Sequence, residues 1–534
     1  MLDILGNGCF VSDDRKNLHE RLWASAEQLR ANSSLKLNEM FEPILGLIFL
    51  KFADVRFKHA TELIEAEREK ISGRKPPITP EMYRQKGVPF IPVGAHYSTL
   101  LELSESKNIG KAVNQAMKLI EESNPDLTDT LPQEFTKLAK EQTDNNRILL
   151  TLLRSLNQIP ENIKGDAFGE IYEFFLGRFA LSEGNKGGEY FTPQPIVQLI
   201  VEIIEPYKGR ILDPACGSGG MFVNSAQFVL KHSDGNRNVM EEVSIYGQEK
   251  SGSNVRVAKM NLAIHGLSGK ITEANSFYED AHDSIGKFDY VIANPPFNVK
   301  GRDKNKQIVI DPSRLENDPR YSYGLPLTGK NEISNANYLW MSMFANALSD
   351  KGRAGFVMAS GAGDSGHKEA SIRRDLIEDK LVDIIISVGS NMFLNSTLGC
   401  TLWFFDKAKR GTRRENQILF INAQDIFTVV DKAHNTWSDD QISEITSIVK
   451  SYREEKGSSK YEDIIGRSKV ATLDEIRENK YSLNMGRYVE VIEDLVADVD
   501  FLGSIGQIEK ELKSLNEDAI KLTSQIDRIL SKLA

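Results

Sequence analysis

With 534 residues, 40% of them hydrophobic and 27% charged, the chain is too long for one simple domain and can bury a large core. Its longest apolar run, residues 44–50 interrupted by Gly46, is too short to span a membrane, and its N-terminus lacks the basic-then-apolar pattern of an export signal. Cys9, Cys216 and Cys400 are too scattered for a disulfide framework or a zinc cluster, which fits a reducing, cytoplasmic setting. The net charge of −10 argues against a protein that coats nucleic acid by itself, while leaving room for a local basic groove or a cationic partner.

Residues 1–155 read as a mostly helical region. Leu18, Leu22, Ala26 and Leu29 recur at helical spacing, and Pro43 is expected in the first turn of an apolar helix running through Leu50 and Phe52. Nothing in this region resembles a catalytic constellation, so a docking or clamping role is expected. From Asp166 a further helix should place Phe168, Ile171, Tyr172, Phe175 and Phe179 on one face, as core. A glycine-rich loop, residues 184–188, then leads into Glu189-Tyr190-Phe191-Thr192-Pro193. Here Thr192 can cap the next helix with Pro193 in its first position, and the exposed N–H groups and hydroxyl could hold a carboxylate. Alone, this is simply a well-capped helix.

Next comes Arg210-Ile211-Leu212-Asp213-Pro214-Ala215-Cys216-Gly217-Ser218-Gly219-Gly220, a short strand that ends in an acid and opens a helix through a glycine turn. Glycines permit positive φ and close backbone approach to a ligand. The segment departs from the dinucleotide G-x-G-x-x-G pattern, and no P-loop lysine follows. An acid at the strand end suits a cationic group, such as the methionine part of S-adenosylmethionine, where a phosphate would be repelled. A second strand ends at Glu249, where a carboxylate can accept both hydroxyls of a ribose. A third strand end carries Asn275-Ser276, polar groups able to touch an adenine amine. The fourth is Tyr290-Val291-Ile292-Ala293-Asn294-Pro295-Pro296-Phe297, an apolar strand stopped by two prolines and followed by an aromatic ring. By itself it is either a Pro-Pro turn beside a core Phe or a holder for a flat amine, with Asn294 and a carbonyl as acceptors and Phe297 as a stacking surface. Polar groups at successive strand ends favour the second reading, since open α/β sheets bind ligands there.

These motifs, in this order, resemble those of a class I S-adenosylmethionine-dependent amino-methyltransferase, and more closely the modification subunit of a type I restriction-modification system, an N6-adenine DNA methyltransferase. The resemblance continues through Asn335-Ala336-Asn337-Tyr338 and Lys480-Tyr481-Ser482-Leu483 to Arg487-Tyr488. It implies an α/β, Rossmann-like, mostly parallel sheet of about seven strands in residues 156–410. A helical N-terminal domain over 1–155 precedes it as a DNA clamp, and a mixed extension over 411–500 follows. It also implies cofactor contacts from Glu189, Tyr190, Phe191, Thr192, Pro193, Gln194, Asp213, Cys216, Gly217, Ser218, Gly219, Gly220, Glu249, Asn275 and Ser276. Thr192 would take the methionine carboxylate, Asp213 its amino group and Glu249 the ribose. Asn294 and the Pro295 carbonyl would accept from the target amine, with Pro296 and Phe297 completing the catalytic turn and no metal required. Asn275 departs from the Asp that many relatives carry, which loosens the adenine assignment there.

The segment from Asn298 to Asn331 carries Lys300, Arg302, Lys304, Lys306, Arg314, Arg320 and Lys330 among fewer acids. It reads as a long loop, either solvated or laid over DNA phosphates. At the C-terminus Ile505, Ile508, Leu512, Leu515, Ala519, Leu522, Ile526, Ile529 and Leu533 alternate three and four apart, a coiled-coil seam over 501–534. In the resembling family a separate specificity subunit reads a bipartite target in double-stranded DNA, two modification subunits clamp it and a restriction translocase joins for cleavage. The seam would dock the specificity subunit. The competing readings are a stand-alone methyltransferase on RNA or protein glutamine, which needs no such seam, and a non-catalytic assembly subunit with the same fold.

Overall fold

The structure, a computed structural model, describes residues 12–31, 37–71, 73, 75–104, 107–136, 143–159, 167–182, 192–232, 242–393, 399–431, 434–490, 513, 516, 521 and 522. Met1–Val489 form one compact unit and Glu490–Ala534 a second.

The N-terminal region is helical. In Ser12–Ala31 the buried Leu22 and Ala26 sit one turn apart. The next helix is Leu37–Glu69, so Pro43 lies in its second turn and not, as expected, its first. The missing N–H there leaves the Glu39 carbonyl without its helical partner. The wholly buried run that follows, with Leu45, Leu47, Ile48 and Phe49, holds the helix regardless. The helix Ala167–Ser182 adds Phe168, Ile171, Tyr172, Phe175 and Phe179 to the same core, on the face its periodicity indicated.

Among the described residues the sheet has nine strands: β1 (Gly209–Asp213), β2 (Val243–Glu249), β3 (Gly269–Glu273), β4 (Phe288–Ala293), β5 (Leu348–Ala359), β6 (Val382–Val388), β7 (Cys400–Asp406), β8 (Gln417–Ala423) and β11 (Ser468–Thr472). The short β9 (Thr428–Val429) and β10 (Asn435–Thr436) pair separately. The order is β11-β8-β6-β7-β5-β4-β1-β2-β3. Pairings among β1 to β5 are parallel, β7 runs antiparallel between β5 and β6, and β11 is antiparallel on β8. The seven strands expected within residues 156–410 are β1 to β7, and β8 and β11, from the extension that follows, bring the sheet to nine among the described residues. Residues 417–423 and 468–472, in a stretch without a clear sequence pattern, widen the sheet, with Leu419, Phe420 and Ile421 buried as in a central strand. An ion cluster fastens this extension: Arg414 bridges Asp383 and Asp406 at 2.7 and 3.1 Å, and Arg453 also reaches Asp383.

Two features position the site. Strand order reverses at β1, with β2 on one side and β4 on the other, so the loops leaving β1 and β4 diverge and open a crevice at the carboxyl edge. The helix Gly252–Ile264 ties that crevice to the N-terminal core. Its Val257, Met260 and Ile264 pack there, and its Arg256 forms two 2.8 Å bonds to Glu42.

Candidate active site

Parallel pairing of β1 with β4, in register Leu212↔Val291, brings Asp213 and Asn294 to the same sheet edge. Between them lies a cleft of about 570 Å³, mouth included, lined by Thr192, Gln194, Asp213, Ala215, Cys216, Gly217, Ser218, Gly220 and Asn294.

The glycine turn is built as its sequence suggested. Gly217 and Gly219 have φ of 50° and 78°, and a Cβ at Gly220 would meet nothing within 4 Å. The Cys216 N–H donates to the Gln248 carbonyl and the Gly217 N–H to Glu249 Oε2 at 3.2 Å, so the turn hangs from the end of β2. Glu249 Oε1 accepts from the Ser251 N–H at 2.9 Å, and each oxygen keeps a further lone pair.

Asp213 is 1% exposed, and its carboxylate accepts one bond, from the Ala215 N–H at 2.9 Å. Burial pushes its pKa up to about 8, against the lowering effect of that bond and with a further push from Glu249. A ligand ammonium would supply the charge this acid lacks. Asn261, on the helix Gly252–Ile264, donates to the Ser218 carbonyl at 2.9 Å while its Oδ1 is buried with no partner among the described residues. These two acceptors fit the ammonium group of an amino-acid moiety.

Thr192 does not cap its helix. The helix Gln194–Ile204 takes Pro193 as its N-cap residue, with no side-chain capping bond. The Thr192 hydroxyl instead accepts from Asn294 Nδ2 at 2.9 Å. That bond leaves Asn294 Oδ1 as the amide's acceptor. The turn beyond is fixed by a reciprocal pair: Asn298, at φ 54°, receives the Asn337 amide on its Oδ1 at 3.0 Å, and Asn337 Oδ1 receives the Asn298 N–H at 2.9 Å. Pro295 is buried, Pro296 is half-buried, and Phe297, also half-buried, packs against the cores on both faces of the sheet.

The expected site residues do not all meet. Gly219 faces Ala258 and not the cleft. Asn275 Oδ1 accepts from the Phe277 N–H at 3.2 Å, closing a local turn. Ser276 donates to the Pro214 carbonyl and lines a separate small cavity with Arg320 and Met343. Glu189, Tyr190 and Phe191 lie outside the described residues. Conversely, Glu173, Leu176, Asn224 and Asn261 line the cleft beyond the residues the sequence indicated; an Asn set among apolar residues at helical spacing, as Asn261 is between Met260 and Leu262, is the signal the sequence offers. The late motifs act as braces. Arg373 donates to the Tyr481 carbonyl at 2.7 Å and to the Tyr338 hydroxyl at 3.2 Å, and the Leu483 N–H bonds the Gly363 carbonyl.

An acid after β1, a glycine turn, an acid after β2 and an Asn-Pro-Pro-aromatic turn after β4, on this sheet, define a class I amino-methyltransferase. Comparison with known proteins narrows the class. Residues 163–495 match the N-6 DNA Methylase family model and residues 18–156 the HsdM N-terminal domain model. The MjaIX type I restriction enzyme methylase subunit of Methanocaldococcus jannaschii is 33% identical over 96% of this chain and 91% of its own length. The HindI methylase subunit of Haemophilus influenzae is 32% identical over 83% and 99%. The fold matches a solved type I methyltransferase subunit from Streptococcus thermophilus with a TM-score of 0.71 at 23% identity, covering 89% of this chain and all of that one. The chain belongs to the N-6 DNA methylases, as a modification subunit of the type I restriction-modification family. Among the described residues no helix is long and apolar enough to cross a membrane, and no cluster of His, Cys, Asp and Glu suits a metal.

Proposed function

We propose that this subunit uses S-adenosylmethionine to methylate N6 of an adenine flipped out of double-stranded DNA, at a bipartite target read by a separate specificity subunit. Two copies of the chain would flank each specificity subunit, docked through residues 501–534, with residues 1–155 closing around the DNA. A restriction translocase would join for cleavage. Leu522, helical and 59% exposed, is the one seam residue within the described set.

The observation that carries the reading is the Thr192–Asn294 bond inside the cleft that also holds Asp213. When bound, the cofactor supplies an electrophilic methyl group on a sulfonium. The chain's own residues then bind and orient. Asp213 and Asn261 offer acceptors to the amino-acid end, the open side of Gly220 gives room, and Glu249 offers free lone pairs to the ribose. At the other end, the adenine amine is a weak nucleophile because its lone pair is delocalised into the ring. As that nitrogen becomes tetrahedral it gains positive charge, which Asn294 Oδ1 and the Pro295 carbonyl stabilise, with the sign reversed from an oxyanion hole. Phe297 offers the ring face on which an extruded base stacks. No general base is needed in this reading, because the N–H becomes acidic once the nitrogen is cationic and its proton passes to solvent.

The test uses the chain assembled with its specificity subunit. Asn294→Ala should slow methyl transfer to DNA by on the order of 10²–10³-fold while equilibrium dialysis finds cofactor affinity unchanged. Normal transfer by that variant would remove Asn294 from the reaction. Glu249→Ala should weaken cofactor binding, and undiminished affinity would remove the ribose role.

A further inference from the structure

Just past the reactive turn, residues 300–309 form a hairpin that the chemistry above does not use. Its strands meet in a bridge between Arg302 and Ile308, and its tip is wound by Asp303, whose Oδ1 accepts the N–H groups of Asn305 and Gln307 at 2.8 Å each. Lys306 takes a left-handed φ of 62° to complete the tip. Arg302 is fixed by Glu332 at 2.7 Å and by the Lys306 carbonyl at 2.8 Å. The base is clamped at Gly301, whose carbonyl accepts from Val309 and Ile310; a Cβ at Gly301 would lie 2.8 Å from the Ile333 carbonyl oxygen.

This well-tied element displays groups that have no use in water. Residues 302–309 are all exposed, and Ile308 and Val309 are 57% and 41% exposed side by side, just before the fully buried Ile310. Lys300, Lys304 and Lys306 are exposed too, and no salt bridge pairs them with an acid among the described residues. On a chain of net charge −10, a rigid tip with three unpaired ammonium groups and two bare aliphatic side chains matches an anionic polymer with an apolar interior. Arg302 and Asp303 are committed to shaping the tip, which leaves the lysines to carry its net positive charge.

We propose that this hairpin engages the duplex at the target base, Lys300, Lys304 and Lys306 neutralising backbone phosphates while Ile308 and Val309 pack against the stack that the flipped adenine has left. The inference rests on the DNA-methyltransferase reading and adds the surface that pays for base extrusion. Unstacking and unpairing a base costs a few kcal/mol, and proteins that open base steps commonly insert aliphatic wedges. Each phosphate neutralised contributes about 0.9 to the slope of log affinity against log salt, so three lysines account for a slope of roughly 2.7.

The experiment uses the full complex with its specificity subunit on a target duplex. Lys300→Gln/Lys304→Gln/Lys306→Gln should flatten the salt slope by roughly 2.7 with cofactor affinity unchanged; an unaltered slope would overturn the lysine assignment. Ile308→Ser/Val309→Ser should methylate a paired duplex at least tenfold more slowly than wild type. It should approach the wild-type rate when the target adenine faces an abasic site, where no partner holds the base. No defect on paired DNA, or the same defect on both duplexes, would overturn the wedge. All five positions are exposed, so thermal melting should be unchanged, and the single variants Lys304→Gln and Ile308→Ser give the same two readouts at smaller amplitude. A wild-type complex that methylates no DNA would instead strike the parent reading.

Discussion

Replacing Thr192 by Val keeps the side-chain shape and removes the oxygen that accepts from Asn294 Nδ2 at 2.9 Å. Without it, nothing selects the amide orientation that turns Oδ1 toward the reacting amine. The flipped orientation presents N–H groups to a nitrogen that is gaining positive charge. A hydrogen bond of this kind contributes a net ~0.5–1.5 kcal/mol. At 1.36 kcal/mol per decade that corresponds to roughly 2- to 12-fold in kcat. Removing the acceptor altogether, in Asn294→Ala, should cost on the order of 10²–10³, as loss of an oxyanion-hole donor does. Thr192→Ser retains the oxygen and should stay within about twofold of wild type, a margin set by the lower limit of the hydrogen-bond range. The assay is single-turnover transfer to a target duplex at saturating cofactor, with cofactor Kd measured separately because the same hydroxyl lies in the cofactor cleft. A wild-type rate in Thr192→Val, or a Ser variant as slow as the Val variant, would refute the positioning role.

Asp213 predicts a proton linkage. With its pKa pushed up to about 8 by burial, it is mostly protonated in the ligand-free protein at pH 7, and a bound ammonium should ionise it. Calorimetric titration of cofactor in two buffers of different ionisation enthalpy should show close to one proton released at pH 7, with the release falling as pH rises through 8, where both the free acid and the ligand's own amino group lose their protons. The same group makes the ligand-free protein lose stability as pH rises from about 4 toward 8, because the native state holds a proton that the unfolded chain has released; Asp213→Asn should flatten that slope in thermal melts. Gly247→Ala should destabilise by about 1–3 kcal/mol through overpacking, since its Cβ would lie 2.6 Å from Ile271 and 3.0 Å from Cys216. Arg414→Met should cost about 3–5 kcal/mol by leaving buried carboxylates short of a partner, Asp383 and Asp406 being those carboxylates; both variants are read by chemical denaturation. Deleting residues 505–534 should abolish binding to the specificity subunit in pull-down while leaving cofactor affinity intact.

The sheet's site-bearing half was legible because each strand there ends in chemistry as well as in a turn. Asp213, Glu249 and Asn294 each stand at or just past the end of an apolar run, and a parallel sheet puts such ends on one edge. Residues 417–423 and 468–472 were missed because short strands set among helix and loop carry no period of their own, and only pairing with β6 and β8 makes them strands. Thr192 was read as a cap because Thr before Pro before a helix is the usual capping signal. The structure starts the helix one residue later and frees the hydroxyl for Asn294, a contact across 102 residues that no local pattern encodes. Asn335-Ala336-Asn337-Tyr338 was visible as a motif, but its work, holding Asn298 and bracing Arg373, depends on where the chain returns. The basic segment after Phe297 read as a loop, and its hairpin came from pairings between residues as far apart as Gly301 and Ile333.

The most direct measurement is a genome-wide map of N6-methyladenine in the native host, comparing the wild-type chromosome with one carrying Asn294→Ala. Loss of methylation at one bipartite motif, with every other motif unchanged, is the predicted result. An identical map from an expressed and assembled variant complex would contradict the assignment of this site to adenine methylation of DNA.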